Sequence, residues 1–212
     1  MRAFLNPNFL KENGYLAIVI PDGILTNSSL QYVRDQIETD FRIIAVVSLP
    51  QTAFTATGAG VKSSVLFLRK YPKAESERIR NLKLDIQNTL KNRHNYISQL
   101  KNWDSEKKEV LKKATGIEYS GTLADFKKTD AYAEWKAQIN SGYSDKINEL
   151  KEQMIEEYLQ EKRRQLPDYP IFMAIAEQIG YDATGKDTPI NELDIIAAEL
   201  ACFIEGVNNG EI

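Results

Sequence analysis

Tyr15-Leu-Ala-Ile-Val-Ile20 is the stretch that decides the fold, with Asn13-Gly14 before it and Pro21-Asp22-Gly23 after it. A short apolar run without alternation, enclosed by turn residues, is typical of a strand that is buried on both faces of a sheet. We therefore predict a first strand at residues 15–20 of an α/β domain.

Two further strands are predicted at residues 42–49 and 62–69, with a helix before the second strand. The first strand, this helix and the second strand form a crossover unit, which should be parallel and right-handed. The connection at 51–60 has no helix signal and is too short for a second parallel crossover, so the third strand should return antiparallel. Gly58-Ala-Gly60 precedes a strand rather than opening a helix, which indicates a turn.

The predicted sheet lacks cover, because one helix cannot bury both faces of three apolar strands. A first strand that also lacks a neighbouring strand should present an apolar edge that is open to self-association. The run Ile171–Ala176 is compatible with a strand that covers this edge, and equally with a turn of buried helix.

Residues 73–166 are predicted to be helical, because apolar residues recur there at spacings of three, four and seven. Two long amphipathic helices in a hairpin, with smaller helices near the turn, fit this pattern. The sequence thus predicts a sheet domain at 1–72, a helical hairpin at 73–166, and a C-terminal α/β segment at 167–212 that packs back on the sheet.

The composition excludes several classes of protein to which the chain could otherwise belong. Of the 212 residues 42% are apolar, and no apolar run reaches the length of a membrane span. The single cysteine, Cys202, and the single histidine, His94, exclude a disulfide framework within the chain and nearly exclude a Cys/His zinc site. A reducing cytoplasm is the expected setting.

Charge is distributed unevenly, although the net charge is only −3. Eleven Lys and Arg face six Asp and Glu between Lys73 and Lys113, whereas residues 168–212 carry nine acidic residues and one lysine, Lys186. A solvated helix face is the commoner explanation of such a basic stretch. The alternative is contact with DNA phosphates, for which the candidates are Lys107, Lys108, Lys112 and Lys113.

Several conspicuous residues are interpreted as structural. His94 lies in a polar stretch with no neighbouring carboxylate and is expected at the surface, and Cys202 lies among apolar residues and is expected to be buried. Trp103 and Trp135 are expected to pack within the hairpin. Residues 181–185, Tyr-Asp-Ala-Thr-Gly, indicate a turn.

Three segments occur in order and carry a family resemblance: Gly14-Tyr-Leu-Ala-Ile-Val-Ile-Pro-Asp-Gly-Ile-Leu-Thr-Asn, then Ala45-Val-Val-Ser-Leu-Pro, then Thr57-Gly-Ala-Gly-Val-Lys-Ser-Ser. They resemble the modification subunit of type I restriction–modification systems, which are adenine-specific DNA methyltransferases. The later segment Tyr169-Pro-Ile-Phe-Met-Ala-Ile-Ala-Glu-Gln-Ile-Gly-Tyr-Asp resembles a region near the end of that family's catalytic domain.

The resemblance implies a sheet of the S-adenosylmethionine-dependent type, with seven strands and an antiparallel last strand between its two predecessors. Residues 15–20, 42–49 and 62–69 would be its fifth, sixth and seventh strands. The chain would then be a C-terminal fragment that begins after strand four.

The resemblance also implies that the catalytic and cofactor motifs lie on the earlier strands. The family's Asn-Pro-Pro-Phe/Tyr motif aims an asparagine at the flipped adenine, and Asn6-Pro7-Asn8-Phe9 departs from it at the second proline, with no strand before it. The glycine-rich cofactor turn is not found. We therefore assign no catalytic, cofactor-binding or metal residue, and expect S-adenosylmethionine to bind the full-length parent rather than this chain.

The loop before the third strand is expected on the target-base side of the site. Phe54 could stack on an extruded adenine or could pack under its own loop, and both readings are open. Lys62 could reach a phosphate, although a lone lysine at a strand start is usually solvated. Asp22 follows the first strand, where ligands bind in such sheets, but a turn closing on its own backbone is favoured.

The implied partners are DNA and the specificity and restriction subunits of the same system. The alternative function is a helical module that binds DNA or another subunit and assembles a restriction–modification complex. The basic stretch motivates that alternative.

Overall fold

The computed structural model describes residues 9–212, which divide into two compact units. The sheet unit comprises the described residues up to Arg80 together with Asp168–Ile212, and the helical unit comprises Asn81–Pro167. The strands are β1 (Tyr15–Pro21), β2 (Phe41–Ser48), β3 (Ser63–Lys70), β4 (Phe172–Ile175), β5 (Ile179–Tyr181) and β6 (Asp187–Asn191). The helices are α1 (Gly23–Thr26), α2 (Gln31–Asp40), α3 (Lys73–Arg93), α4 (Tyr96–Lys113), α5 (Leu123–Phe126), α6 (Asp130–Gln165) and α7 (Leu193–Asn209).

The main sheet has the strand order β1-β3-β2-β4. Strand β3 is antiparallel to both β1 and β2, and β4 pairs in parallel with β2. The antiparallel return predicted for the third strand is therefore confirmed, and β3 lies between the two strands that precede it.

The two faces of this sheet are covered by different parts of the chain. On one face α1 and α2 pack onto β1 and β3, and the buried residues there are Ile20, Ile24, Val33, Ile37, Phe41, Leu66 and Leu68. On the other face α7 packs onto β2, β3 and β4, through Ile44, Ala45, Leu200 and Val207 with Phe67, Phe172, Phe203 and Ile204 around them. The C-terminal segment thus supplies the layer that the first three strands lack.

Burial of β1 on both faces was a wrong expectation. Its residues alternate between exposed and covered, and Val19 is 49% exposed. The reason is its place at the edge of the sheet: α7 bonds to the first residue of β1, through Tyr15 and Asn208 at 2.7 Å, but its apolar cluster lies on the neighbouring strands.

The segment Ile171–Ala176 forms a strand, β4, rather than a helical turn. It does not cover the outer edge of β1, as one reading expected, because it pairs with β2 at the opposite edge. The outer edge of β1 has no strand partner among residues 9–212.

The helical unit is a hairpin with a divided first arm. Helices α3 and α4 are separated at His94 and Asn95, where Asn95 has a left-handed backbone with φ of 47°, and the 36-residue α6 forms the second arm. Ile86 and Leu90 pack against Tyr158. At the far end, Ala114, Phe126 and Trp135 form a second buried cluster.

The two tryptophans of the helical unit and the cysteine of α7 differ in how far they are buried. Trp135 is buried as expected and Trp103 is half-buried. Cys202 is exposed, contrary to expectation, because α7 turns Leu200, Phe203 and Val207 toward the sheet and Cys202 away from it. No helix within residues 9–212 is both long and apolar enough to cross a bilayer.

Candidate functional site

The candidate site lies at one end of the main sheet. Strands β1, β2 and β4 run in the same direction, so their carboxyl ends meet at one edge, together with the start of β3. Ligands of open α/β sheets bind outside the carboxyl ends of such strands. The residues to consider are therefore those that follow Pro21, Ser48 and Ile175 and those that precede Ser63.

Asp22 links two strands at this edge. Its carboxylate accepts a hydrogen bond of 2.7 Å from the Ser64 hydroxyl, and its N–H donates to the Lys62 carbonyl at 3.0 Å. The favoured interpretation was a turn residue closing on its own backbone, and Asp22 does form a local turn, although its carboxylate takes its partner from β3. In that turn its backbone carbonyl accepts from the N–H groups of Leu25 and Thr26.

Lys62 is half-buried, and its ammonium group donates to the Leu49 carbonyl. A bond between these two residues joins the two ends of the loop from β2 to β3. In this arrangement the lysine fixes the loop rather than extending toward solvent, so any phosphate contact would require it to leave the Leu49 carbonyl.

The Phe54 loop (residues 49–62) is closed by its own polar groups. The Gln51 amide donates to the Gly60 carbonyl at 2.8 Å, and the Gly58 N–H donates to Thr55 at 2.9 Å. Gly58 has φ of 85°, a left-handed conformation that favours glycine at this turn. The turn predicted at Gly58-Ala-Gly60 is thus present, and it leads into β3 rather than into a helix.

The Phe54 side chain is half-buried and packs against a cluster around Leu49 and Ala53, to which Ala176 and Ile179 also belong. Part of the ring thus packs under its own loop, which was one of the two readings. Partial exposure leaves the rest of the ring accessible at the site edge, where a stacked base could contact it.

The four candidate lysines of the basic stretch all lie on α4, in the helical unit. Lys108 is ion-paired to Asp104 at 2.7 Å and Lys113 to Glu109 at 2.9 Å, each pair one helical turn apart and exposed. Hydrogen bonds from these lysines lower the pKa of both carboxyl groups. Lys107 is half-buried and Lys112 is exposed.

His94 was predicted to lie at the surface without a carboxylate, and that prediction is wrong. Only 14% of its side chain is exposed, and its Nε2 lies 2.9 Å from Glu157 on α6. Arg93 binds the same carboxylate at 3.2 Å. Sequence reasoning missed this cluster because Glu157 lies 63 residues further along the chain.

The two glycine segments at this end of the sheet do not form the glycine-rich cofactor turn of a methyltransferase. Among residues 9–212, the strand β1 is followed by Asp22-Gly23 and a four-residue helix, and the glycines at 58 and 60 lie in a closed loop before β3. Neither arrangement is a glycine-rich turn that opens a long helix. No cluster of three or more metal-ligating side chains occurs in the same described part of the chain.

The near match to the catalytic motif falls mostly outside the description. Asn6, Pro7 and Asn8 lie outside the described residues, and the Phe9 side chain is exposed.

The model of the N-6 DNA methylase family matches residues 4–160, which is most of the chain. No curated protein matches the chain.

Proposed function

Because the chain belongs to the N-6 DNA methylase family, we propose that it is the C-terminal segment of a type I modification subunit. The whole subunit would transfer a methyl group from S-adenosylmethionine to the exocyclic amino group of adenine in DNA. This segment would supply the target-base side of the site, and would be inactive alone.

The observation that supports this proposal most directly is the position of β3. It lies antiparallel between β1 and β2, and the outer edge of the seven-residue β1 is unpaired within residues 9–212. A strand from the rest of the subunit would pair with this edge, since an edge strand presents free N–H and C=O groups. The end of that strand would then lie beside Asp22 and Gly23.

Calorimetric titration of the chain with S-adenosylmethionine tests whether the cofactor site lies elsewhere. We expect no binding in the micromolar range, because residues 9–212 contain no suitable glycine-rich turn. Micromolar binding would overturn the assignment of this segment to the target-base side alone.

Phe54 is the proposed contact for the extruded adenine. In the assembled methyltransferase, Phe54→Leu should keep the packing against Leu49 and Ala53 but lose the aromatic face. Stacking contributes about 1–3 kcal/mol per base, so kcat/KM should fall roughly 5- to 150-fold. Tyr32→Leu, at an exposed aromatic residue of α2, is the control and should change kcat/KM little. Unchanged activity of Phe54→Leu would remove the residue from the site.

Helix α4 is the proposed contact for DNA phosphates, through Lys107, Lys108, Lys112 and Lys113. Changing all four to Glu should abolish a salt-dependent mobility shift of duplex DNA, since each phosphate contact adds to the salt dependence. A matched control compares two double variants. The test variant carries Lys112→Glu and Lys113→Glu, and the control variant carries Lys127→Glu and Lys128→Glu. Each pair has two exposed lysines, one of them ion-paired.

The same mobility measurement addresses the alternative function, a helical module that binds DNA or another subunit. DNA binding that requires the α4 lysines but not Phe54 would favour the module. An equal effect of the two lysine pairs would indicate attraction to charge in general and would exclude α4 as a specific contact.

The proposed partners of the subunit, besides DNA, are the specificity and restriction subunits of the same cytoplasmic system. We also propose that the isolated chain self-associates through the edge of β1. Sedimentation at increasing concentration should show a dimer, and a monomer throughout would contradict self-association.

A further inference from the structure

The β5–β6 hairpin lies directly against the Phe54 loop, although more than a hundred residues separate them along the chain. The Tyr181 hydroxyl donates a hydrogen bond of 3.1 Å to the Ala53 carbonyl. At the tip of the hairpin, a β-carbon on Gly185 would lie 3.4 Å from the β-carbon of Ala56. Ile179 of β5 shares a buried cluster with Ala53 and Phe54.

The tip of this hairpin is held by one carboxylate. The Asp182 side chain accepts hydrogen bonds from the Thr184 hydroxyl at 2.7 Å, the Thr184 N–H at 2.8 Å and the Lys186 N–H at 3.1 Å. These bonds, that from the Thr184 hydroxyl foremost, lower the pKa of Asp182. Because the turn is fixed in this way, contact with the hairpin can restrict the Phe54 loop.

The base of the hairpin is tied to the end of β2, from which the loop starts. The Ala176 N–H donates to the Ser48 carbonyl at 2.9 Å, which continues the pairing of β4 with β2. The Glu192 carboxylate then accepts from the N–H groups of Glu177 at 2.6 Å and Gln178 at 3.2 Å. Loop and hairpin therefore share one anchor and meet again at Ala53 and Ala56.

We propose that the β5–β6 hairpin positions the Phe54 loop for the target base, and that Tyr181 is the positioning residue. The inference rests on the proposed function, since it assumes that Phe54 meets the base. Tyr181 would not touch DNA. Its hydrogen bond fixes the Ala53 carbonyl, and Ala53 fixes the backbone from which the Phe54 side chain projects.

The test in the assembled methyltransferase compares Tyr181→Phe with Tyr32→Phe. Both changes remove one hydroxyl from a tyrosine of the sheet unit, but Tyr32 lies exposed on α2. We expect Tyr181→Phe to lower kcat roughly three- to tenfold, the effect of one lost hydrogen bond, with KM little changed. Tyr32→Phe should change neither.

A second measurement follows Phe54 in this chain without requiring activity. Site-specific incorporation of 4-fluorophenylalanine at position 54 alone, among the eight phenylalanines of the chain, gives a single fluorine resonance and leaves a phenylalanine introduced at position 181 or 32 unlabelled. Tyr181→Phe should shift or broaden this resonance, whereas Tyr32→Phe should leave it in place. Thermal unfolding of both variants confirms that the fold is retained.

The outcomes separate the two proposals. If Tyr181→Phe changes neither kcat nor the Phe54 resonance, the positioning role is overturned. If Phe54→Leu leaves methyl transfer intact, the base contact fails, while the fluorine resonance still decides whether the hairpin holds the loop. A Tyr181→Phe variant that loses stability but keeps both the resonance and kcat would show a structural role only.

Discussion

The sheet unit and the helical unit hold their polar side chains in different ways. In the sheet unit, Asp22 and Tyr181 bond to partners 42 and 128 residues away, and each bond fixes a loop at the end of the sheet. On α4 of the helical unit, the pairs of Lys108 and Lys113 join residues four apart. The difference indicates that a site which needs precise geometry belongs to the sheet unit, whereas α4 of the helical unit presents exposed positive charge.

The cluster of His94, Arg93 and Glu157 is the exception within the helical unit. It joins the break between α3 and α4 to α6 across 63 residues. Glu157 also accepts from Gln153 at 3.2 Å. Variants of this cluster therefore test most directly whether side-chain contacts differ between the two units.

The largest effect is expected in the core of the sheet unit. Leu68 is fully buried in β3, and Leu68→Ala should reduce the free energy of unfolding by about 2–5 kcal/mol, through lost burial and the cavity left behind. Urea denaturation measures this change. Ile195→Ala, at an exposed position of α7, is the control and should stay within about 0.5 kcal/mol. A loss below about 1 kcal/mol for Leu68→Ala would show that β3 is not central to the core.

The next effect concerns the buried carboxylate of Asp40, of which only 3% is exposed and which binds Arg80 at 3.0 Å and Gln36. Asp40→Asn removes the charge from this pair and should cost about 1–3 kcal/mol. Glu157→Gln, in the more exposed cluster of the helical unit, should cost less. The reverse order in urea denaturation would break the distinction between the two units.

Acid should weaken the His94 cluster. The hydrogen bond with His94, foremost among its contacts, lowers the pKa of Glu157 below its usual value of 4.5. A carboxyl group whose pKa is lower in the folded state stabilises the fold above 4.5 and loses that contribution as pH falls through the folded pKa. The stability difference between the wild type and Glu157→Gln should therefore be present at pH 6 and shrink below pH 4.5. Denaturation at several pH values measures it, and a difference independent of pH would exclude Glu157 as the source.

The smallest effect is expected on the exposed face of α4. Lys113→Gln breaks the pair with Glu109, but exposed pairs one turn apart contribute little to stability. The urea midpoint should not change measurably, while DNA mobility should respond if α4 contacts phosphates. A clear loss of stability would show that this lysine supports the fold instead.

Local patterns in the sequence were sufficient for the elements and for part of the topology. The apolar runs at 15–20, 42–49 and 62–69 predicted β1, β2 and β3 to within a residue or two, and the short connection predicted the antiparallel return. The motif segments up to residue 64 pointed to adenine-specific DNA methyltransferases, and the model of the N-6 DNA methylase family matches residues 4–160. These features depend on residues close together in the chain, which sequence reasoning can read.

Only the tertiary structure decided which residues meet. Distant parts of the chain meet where β4 pairs with β2 and where α7 covers the sheet. The same is true of the hydrogen bond from Tyr181 to Ala53 and of the contact between His94 and Glu157. The exposure of Cys202 and of one face of β1 follows from the same long-range packing. Apolar periodicity shows that one surface of an element must be covered, but it does not identify the element that covers it. The reason is that the hydrophobic effect is non-directional and depends on the apolar area that is buried.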